Sequence, residues 1–358
     1  MTGTSMDGLD IVCCNFHVED ENYEFEVIAA EQVAFGEKWY ARLVKLIEQP
    51  AEVYAKTDVY FGHWLGQQCK AFIEKKQLKP DFVASHGQTI FHQPDKNFTG
   101  QIGDGESLVS YLPCPLVSNF RNKDVALGGQ GAPLVPLGEK YLLPQGQIFL
   151  NLGGFCNIAL GELAFDISSC NGILNLLVQQ IDASLGYDAG GQIARSGELK
   201  EDFLQALNAL PFYTEKPPKS LGWEWVQSDL LPVVGQYQQY PIADLMHTLC
   251  VHQAAQIERA VIELHGQGKK LLATGGGRHN TFLMELIRER LNKHDVQLDE
   301  ETSTDIIDYK EAIVFAFLGL RVLTGKSSVL HTVTGADFSG LCGSIHLPAE
   351  AEKYALLG

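Results

Sequence analysis

A chain of 358 residues with 45% hydrophobic and 20% charged content can bury a sizeable core, and at that length two lobes are expected rather than one oversized domain. Forty-four acids against 27 Lys plus Arg give a formal net charge of -17, which repels phosphate backbones and makes nucleic acid a poor partner, though not a small anionic substrate in a locally positive pocket. The eight cysteines form no CxxC pair and no histidine cluster has zinc spacing, so they read as reduced thiols of a cytoplasmic protein. Residues 2–10 are polar and Gly-rich, unlike a secretory signal, and the longest apolar run, 312–320, ends at Arg321 too soon to span a bilayer, so neither export nor membrane insertion is expected.

In chain order, residues 9–18 and 25–35 are β-rich and flank a polar turn at 19–24, which predicts two strands. Residues 37–76 carry apolar positions at roughly helical spacing, such as Leu43, Leu46 and Ile47, then Leu65, Phe72 and Ile73. A short buried strand, 82–84, runs straight into Ser85-His86-Gly87-Gln88-Thr89, and residues 100–136 are rich in Gly and Pro. Strands are expected at 147–152, before Asp166, and at 271–273; helices at 171–185, 242–265, 281–291 and 308–323. Strands alternating with helices give an α/β class, and the opening strand pair points to a mixed sheet, with two lobes packed around a cleft.

Four glycine-rich segments attract attention. Gly3-Thr4-Ser5-Met6-Asp7-Gly8-Leu9-Asp10 has small residues that let backbone amides approach a phosphate, hydroxyls that add donors, and two acids, Asp7 and Asp10, that can hold magnesium through its waters. A plain β-hairpin turn explains the same residues. The segment is no Walker A loop, because no Gly-Lys-Ser/Thr follows. Asn151-Leu152-Gly153-Gly154 ends a strand and reads as a second phosphate clamp or as a tight glycine hairpin. Gly275-Gly276-Gly277, between a strand and a helix, offers backbone to a nucleoside or phosphate, or serves close strand-to-helix packing. The fourth, 128–133, is flanked by Arg121 and Asp124, which fit a sugar or carboxylate contact as well as a surface ion pair.

Asp166 follows an apolar strand end. A carboxylate there, facing a cleft, suits a general base, and it equally suits a helix N-cap. Glu311 opens an apolar helical run, where an acid favours the helix dipole. His86 beside Ser85 invites a hydrolase reading, but no G-x-S-x-G elbow accompanies it. A hydrogen bond to a sugar, or a satisfied core histidine, remains for His86.

Taken together, the order of these strings resembles the anhydro-N-acetylmuramic acid kinase family. The resemblance runs from residue 1 to about 325 through Gly3-Thr4-Ser5-x-Asp7-Gly8-x-Asp10, Ser85-His86-Gly87-Gln88-Thr89-x-x-His92-x-Pro94 and Phe120-Arg121-x-x-Asp124-x-Ala126-x-Gly128-Gly129-Gln130-Gly131-Ala132-Pro133-Leu134-Val135-Pro136. It continues with Asn151-Leu152-Gly153-Gly154, Phe165-Asp166, Pro218-Lys219-Ser220-x-Gly222, Gly275-Gly276-Gly277-x-x-Asn280 and Glu311-Ala312. It implies an actin-like ATPase fold, two-lobed and ribonuclease H-like, with mixed sheets. The lobes expected are 1–130 and 131–325, with residues 326–358 available to complete the first.

The resemblance also implies a reaction: ATP phosphorylates the 6-oxygen of 1,6-anhydro-N-acetylmuramic acid while water opens the anhydro bridge, in peptidoglycan recycling. It makes Asp166 the base that activates this water. Gly3, Thr4, Ser5, Met6, Asp7, Gly8, Leu9, Asp10, Gly153, Gly154, Gly275, Gly276 and Gly277 would hold ATP. His86, Gln88, Arg121, Asp124 and Glu311 would hold the sugar and its lactyl carboxylate, and Asp7 and Asp10 the Mg2+. A second copy of the chain is the one macromolecular partner considered.

This sequence departs from the family pattern in three ways. Met1 and Thr2 abut Gly3, where the family has an apolar first strand, and a start placed too late is the expected cause. Met1 stands where the broader fold has an acid two residues before that glycine. Ser168-Ser169-Cys170 stands where the family favours Gly-Pro after the catalytic aspartate. The competing readings are a kinase for another amino sugar, a catalytically dead sugar sensor and, against the charge of -17, a DNA-binding regulator.

Overall fold

In the computed structural model, which describes residues 1–3, 8–144, 146–161, 163–182, 185–217 and 219–349, the β-rich opening stretch forms a long antiparallel hairpin of β1 (Gly8–Glu19) and β2 (Asn22–Ala34). The helical stretch that follows is divided. Helix Glu37–Lys45 passes into a short 3-10 turn at Leu46–Glu48, and a 26-residue helix, Ala51–Lys76, restarts after Pro50. Pro50 has no amide hydrogen to continue a helix and drives Gln49 into an extended conformation. Gln77 in the left-handed region closes the long helix.

The short strand expected at 82–84 is β3 (Val83–Ala84). The next residues form an antiparallel hairpin of β4 (Gln88–Gln93) and β5 (Phe98–Ile102), and β6 (Leu116–Ser118) pairs parallel to β3.

A five-stranded mixed sheet comes next in the chain: β7 (Ile148–Leu152), β8 (Phe155–Leu160), β9 (Leu163–Ser169), β10 (Lys270–Thr274) and β11 (Gln297–Leu298). The strand order is β11-β10-β7-β8-β9; β11, β10 and β7 run parallel, and β8 and β9 are antiparallel neighbours. The apolar residues of β7 to β10 and of helices Asn171–Ile181 and Ile242–Glu263 form one core, in which Ile148, Leu150, Leu152, Leu174 and Leu249 are buried. The last strand, β12 (Ser344–His346), pairs antiparallel with β6.

Two compact units result: Met1–Leu143 with Tyr309–Gly358, and Pro144–Asp308. These limits differ from the 130/131 and 325/326 divisions read from the sequence. Helix Val135–Leu142 packs against residues after 308. A Cβ on Gly138 would lie 2.4 Å from Val314, and Lys310 donates to Glu139 at 2.7 Å with both side chains buried. A buried ion pair and a glycine contact of this closeness hold both segments in the first unit. Among the described residues no helix is long and apolar enough to cross a membrane.

Candidate active site

In the second unit, two glycine segments that are far apart in the sequence meet where the parallel strands β7 and β10 end. The Gly153-Gly154 turn links β7 to β8. Its carbonyls accept from the start of helix Asn171–Ile181: Asn171 N to Gly153 O at 3.1 Å, and Cys170 N and Gly172 N to Gly154 O at 2.9 and 3.1 Å. Gly275 sits at φ +84°, where a Cβ would be 2.6 Å from Asn151 Oδ1 and 3.0 Å from the Leu152 backbone. A Cβ on Gly277 would be 2.7 Å from Leu152 Cβ. Asn171 Nδ2 donates to Leu152 O at 3.0 Å, so this side chain lies between the two turns.

Glycine is required here for close packing, and the same packing brings two donor segments together. The Gly154 and Gly276 amides take no partner among the described residues, which leaves both N–H groups available to a phosphate. The location, at the carboxyl ends of parallel strands, is where open α/β sheets bind ligands.

Asp166 lies on β9. Its backbone opposes Asn157, while Ser168 opposes Cys156, so Ile167 is an extra residue and the strand bulges at the carboxylate. Segment 219–221 runs along this bulge: Asp166 N donates to Lys219 O at 2.9 Å, and Leu221 N donates to Asp166 Oδ2 at 2.8 Å. Burial pushes the Asp166 carboxyl up to about 6, and the Leu221 bond opposes that rise. Oδ1 takes no partner among the described residues. The N-cap alternative falls, because the nearby helix starts at Asn171 with Cys170 as its cap. Above pH 6 the group is ionised and still basic, which suits proton abstraction.

Ser168-Ser169-Cys170 is buried and leads directly into that helix. Gln253, on helix Ile242–Glu263, donates to the Ser169 and Cys170 carbonyls at 3.1 and 3.4 Å. Neither Gln253 nor Leu221 was legible as a site residue. Gln253 reads as one more helical polar residue, and Leu221 acts through its backbone.

In the first unit, Thr4, Ser5, Met6 and Asp7 lie outside the described residues. Their flanks are well tied. Met1 and Asp10 exchange backbone hydrogen bonds of 2.7 and 2.8 Å, Leu9 is buried, and a Cβ on Gly8 would be 2.5 Å from Val33 O. Thr2 Oγ1 donates to Gly87 O at 2.6 Å, and Gln88 Nε2 donates to Gly3 O at 3.2 Å. Thr2 and Gly3 are thereby joined to the Ser85–Thr89 motif. Gln88 is buried, and its Oε1 has no partner among the described residues.

Arg121 and His86 form a pair. Arg121 Nε donates to His86 Nε2 at 2.8 Å, and Arg121 Nη1 donates to Gly131 O at 2.6 Å. The His86 ring packs on Phe315, and its Nδ1 lies 2.7 Å from Gly87 O. Burial, then the Arg121 charge, hold His86 well below its usual range. It is therefore neutral, with the proton on Nδ1 given to Gly87 O and Nε2 accepting from Arg121. Both ring nitrogens are engaged, so His86 orients Arg121 rather than presenting a free donor to a sugar. Burial lowers Arg121 to about 10, against the opposing charges of Glu311 and Asp124. It stays cationic, and its Nη2 takes no partner among the described residues.

Asp124, expected among the sugar contacts, has another task. It is 1% exposed, and its two oxygens accept from Gly131 N at 2.7 Å and Thr334 Oγ1 at 2.8 Å, so it organises the loop that carries Gly131. Glu311 does not open its helix. That helix is Thr304–Leu323, which places Glu311 two turns in, close enough for its charge to act on Arg121. Among the described residues no group of three or more His, Cys, Asp or Glu is set to hold a metal. A magnesium ion carried on a triphosphate needs one or two carboxylates, and Asp10 is the one described candidate.

The model of the anhydro-N-acetylmuramic acid kinase family matches residues 1–348. The chain belongs to that family. Similar proteins named anhydro-N-acetylmuramic acid kinase include one from Xanthomonas oryzae pv. oryzae, 33% identical and covering 97% of this chain and 96% of that protein. Another, from Pseudomonas fluorescens, is 31% identical over 97% of this chain and 98% of its own length. A third, from Acinetobacter baylyi, is 30% identical over 96% and 97%. Among solved structures, the activator of the 2-hydroxyisocaproyl-CoA dehydratase from Clostridium difficile with bound ADPNP matches at a TM-score of 0.36 and 10% identity, over 81% of this chain and 89% of that one. So distant a likeness assigns no residue. Family membership agrees with the strings that first pointed to it, which now stand as two constellations: the glycine turns with Asp166 in one unit, and Arg121 with its supports in the other.

Proposed function

We propose that this chain is a cytoplasmic ATP-dependent kinase that converts 1,6-anhydro-N-acetylmuramic acid to N-acetylmuramic acid 6-phosphate during peptidoglycan recycling. The observation that supports the mechanism is Asp166, whose pKa burial raises to about 6, with one oxygen unpartnered among the described residues, on a bulge within β9. Asp166 takes a proton from water as the water oxygen bonds to the anomeric carbon. The bond from that carbon to the 6-oxygen breaks, the 6-oxygen bonds to the γ-phosphorus, and ADP leaves. No separate acid is needed, because the departing oxygen is captured by phosphorus. A base acting on water opposite the leaving oxygen is the inverting logic of glycoside cleavage.

Gly153, Gly154, Gly275, Gly276 and Gly277 hold the nucleotide through backbone in the second unit, and residues Gly3 to Asp10 are the phosphate-binding candidates of the first. Mg2+ would sit by Asp10 and Asp7 and supply charge neutralisation at the transferred phosphoryl group. Arg121 Nη2 grips the lactyl carboxylate, an interaction for which a guanidinium is well suited. Glu311 takes a sugar hydroxyl, and His86, Gln88 and Asp124 fix the surrounding backbone.

The test is turnover with ATP and magnesium in 18O-water, with the anhydro sugar against a panel of reducing amino sugars. ADP release with the anhydro sugar alone, with 18O at C1 of the product and none in its phosphate, is the expected outcome. ADP release with an ordinary amino sugar, or 18O in the phosphate, overturns the reading.

A further inference from the structure

The C-terminal segment of the first unit contributes a group that no motif assigned. Thr334 closes the short helix His331–Thr334 and is 1% exposed. Its hydroxyl hydrogen goes to Asp124 Oδ1 at 2.8 Å, with a longer contact to Leu330 O at 3.4 Å, and its carbonyl accepts from Gln130 N at 2.7 Å. The segment thus holds the 128–131 loop at two points, one through backbone and one through a buried carboxylate.

From Thr334 the hydrogen bonds run without a gap to the cation. Asp124 Oδ2 accepts from Gly131 N at 2.7 Å, Gly131 O accepts from Arg121 Nη1 at 2.6 Å, and Arg121 Nε is set against His86 at 2.8 Å. Gly131 stands at φ +65°, and a Cβ on Gly129 would be 2.3 Å from Asp124 Oδ2, so the loop is moulded to this carboxylate. Two of the three nitrogens of the guanidinium are held, and the third, Nη2, has no partner among the described residues. Its direction therefore depends on His86 and on the two peptide units that flank the Gly131 Cα, of which Asp124 holds the first through Gly131 N and Arg121 meets the second through Gly131 O. Without the Thr334 hydroxyl, Asp124 Oδ1 loses that partner in a site that is 1% exposed, and a shift of the carboxylate to recover one moves Oδ2 and the Gly131 amide bonded to it.

We propose that Thr334 is a positioning residue for substrate binding, which aims the Arg121 guanidinium at the carboxylate of the sugar through Asp124 and Gly131. This rests on the reading of Arg121 as the anion grip. Misplacement of about 1 Å is enough to impair such a contact.

The test compares Thr334→Val, which keeps the shape and deletes the hydroxyl, with Thr334→Ser, which keeps the hydroxyl. Binding is measured by calorimetry for 1,6-anhydro-N-acetylmuramic acid and for 1,6-anhydro-N-acetylglucosamine, which lacks the lactyl carboxylate. The expected result is about tenfold weaker binding of the carboxylate-bearing sugar to the Val variant. Binding of the second sugar and the KM for ATP should stay within about twofold, and Ser should restore the loss. Equal losses for both sugars, or no loss, overturn the proposal. Should Thr334→Val fail to fold, Thr334→Ala carries the same comparison. Arg121→Lys separates the two readings. If it binds both sugars as the parent does, the grip itself is misassigned; if it loses the first sugar selectively while Thr334→Val does not, the grip stands and Thr334 has no part in it.

Discussion

Replacing Asp166 by Asn should make the protein more stable and inactive, with the gain in stability set by pH. Raising an aspartate from 3.8 to about 6 makes its ionised form cost about 3 kcal/mol more in the folded protein than in the unfolded chain. The sign follows from the neutral form being the favoured one in the fold. The stability associated with that form is fully present below pH 3.8 and is lost as pH rises through about 6. The parent therefore carries the whole cost at pH 8. Asparagine fills the same space, is never ionised, and can still accept from Leu221 N, which lies 2.8 Å from Oδ2.

Urea unfolding of the two proteins from pH 4.5 to 8.5 should show the Asn variant ahead by up to about 3 kcal/mol at pH 8, with the gap closing as pH falls below 6. In parallel, kcat of the parent should fall on the acid side with an apparent pKa near 6, and the variant should bind ATP and sugar but release no ADP. A gap that is constant with pH, or smaller at pH 8 than at pH 5, refutes the account of Asp166 as a carboxylate held ionised against its burial.

The other expectations concern the supports. Gly275→Ala forces a side chain onto the Leu152 backbone at φ +84°, and should lower stability by about 2 kcal/mol or more while raising the KM for ATP, read by urea melts and kinetics. Lys310→Met leaves the Glu139 carboxylate buried without its cation and should cost about 3–5 kcal/mol; adding Glu139→Leu should recover most of it in the same melts. His86→Asn should weaken sugar binding yet leave the acid limb of the kcat profile where it is, because burial and the Arg121 charge hold the His86 titration well below its usual range. A displaced limb would assign part of that titration to the histidine.

Much of the architecture was legible because it is written in local patterns. β-rich composition on either side of a polar turn gave the β1–β2 hairpin, and helical spacing placed Ile242–Glu263 and Thr281–Asn292 within a few residues. The β4–β5 hairpin was hidden, since its strands coincide with a polar motif and a Gly-rich stretch that lack alternation. The break at Pro50 was visible as a residue, but apolar spacing on both sides concealed it.

By itself, the sequence determined the α/β class, the family and which residue types are set at the turns, because glycines and apolar periods act through the backbone nearby, whereas Asp166, read as following a strand end, lies within β9. Tertiary structure alone decided what each group does. Gly153 and Gly275 meet because β7 and β10 are neighbours across more than a hundred residues of chain. Asp166 is raised because a bulge and segment 219–221 enclose it, and Asp124 is bonded to a loop and to Thr334, which reaches it from the far end of the chain. Burial and hydrogen-bond partners are properties of the packed chain, and no spacing along the sequence encodes them.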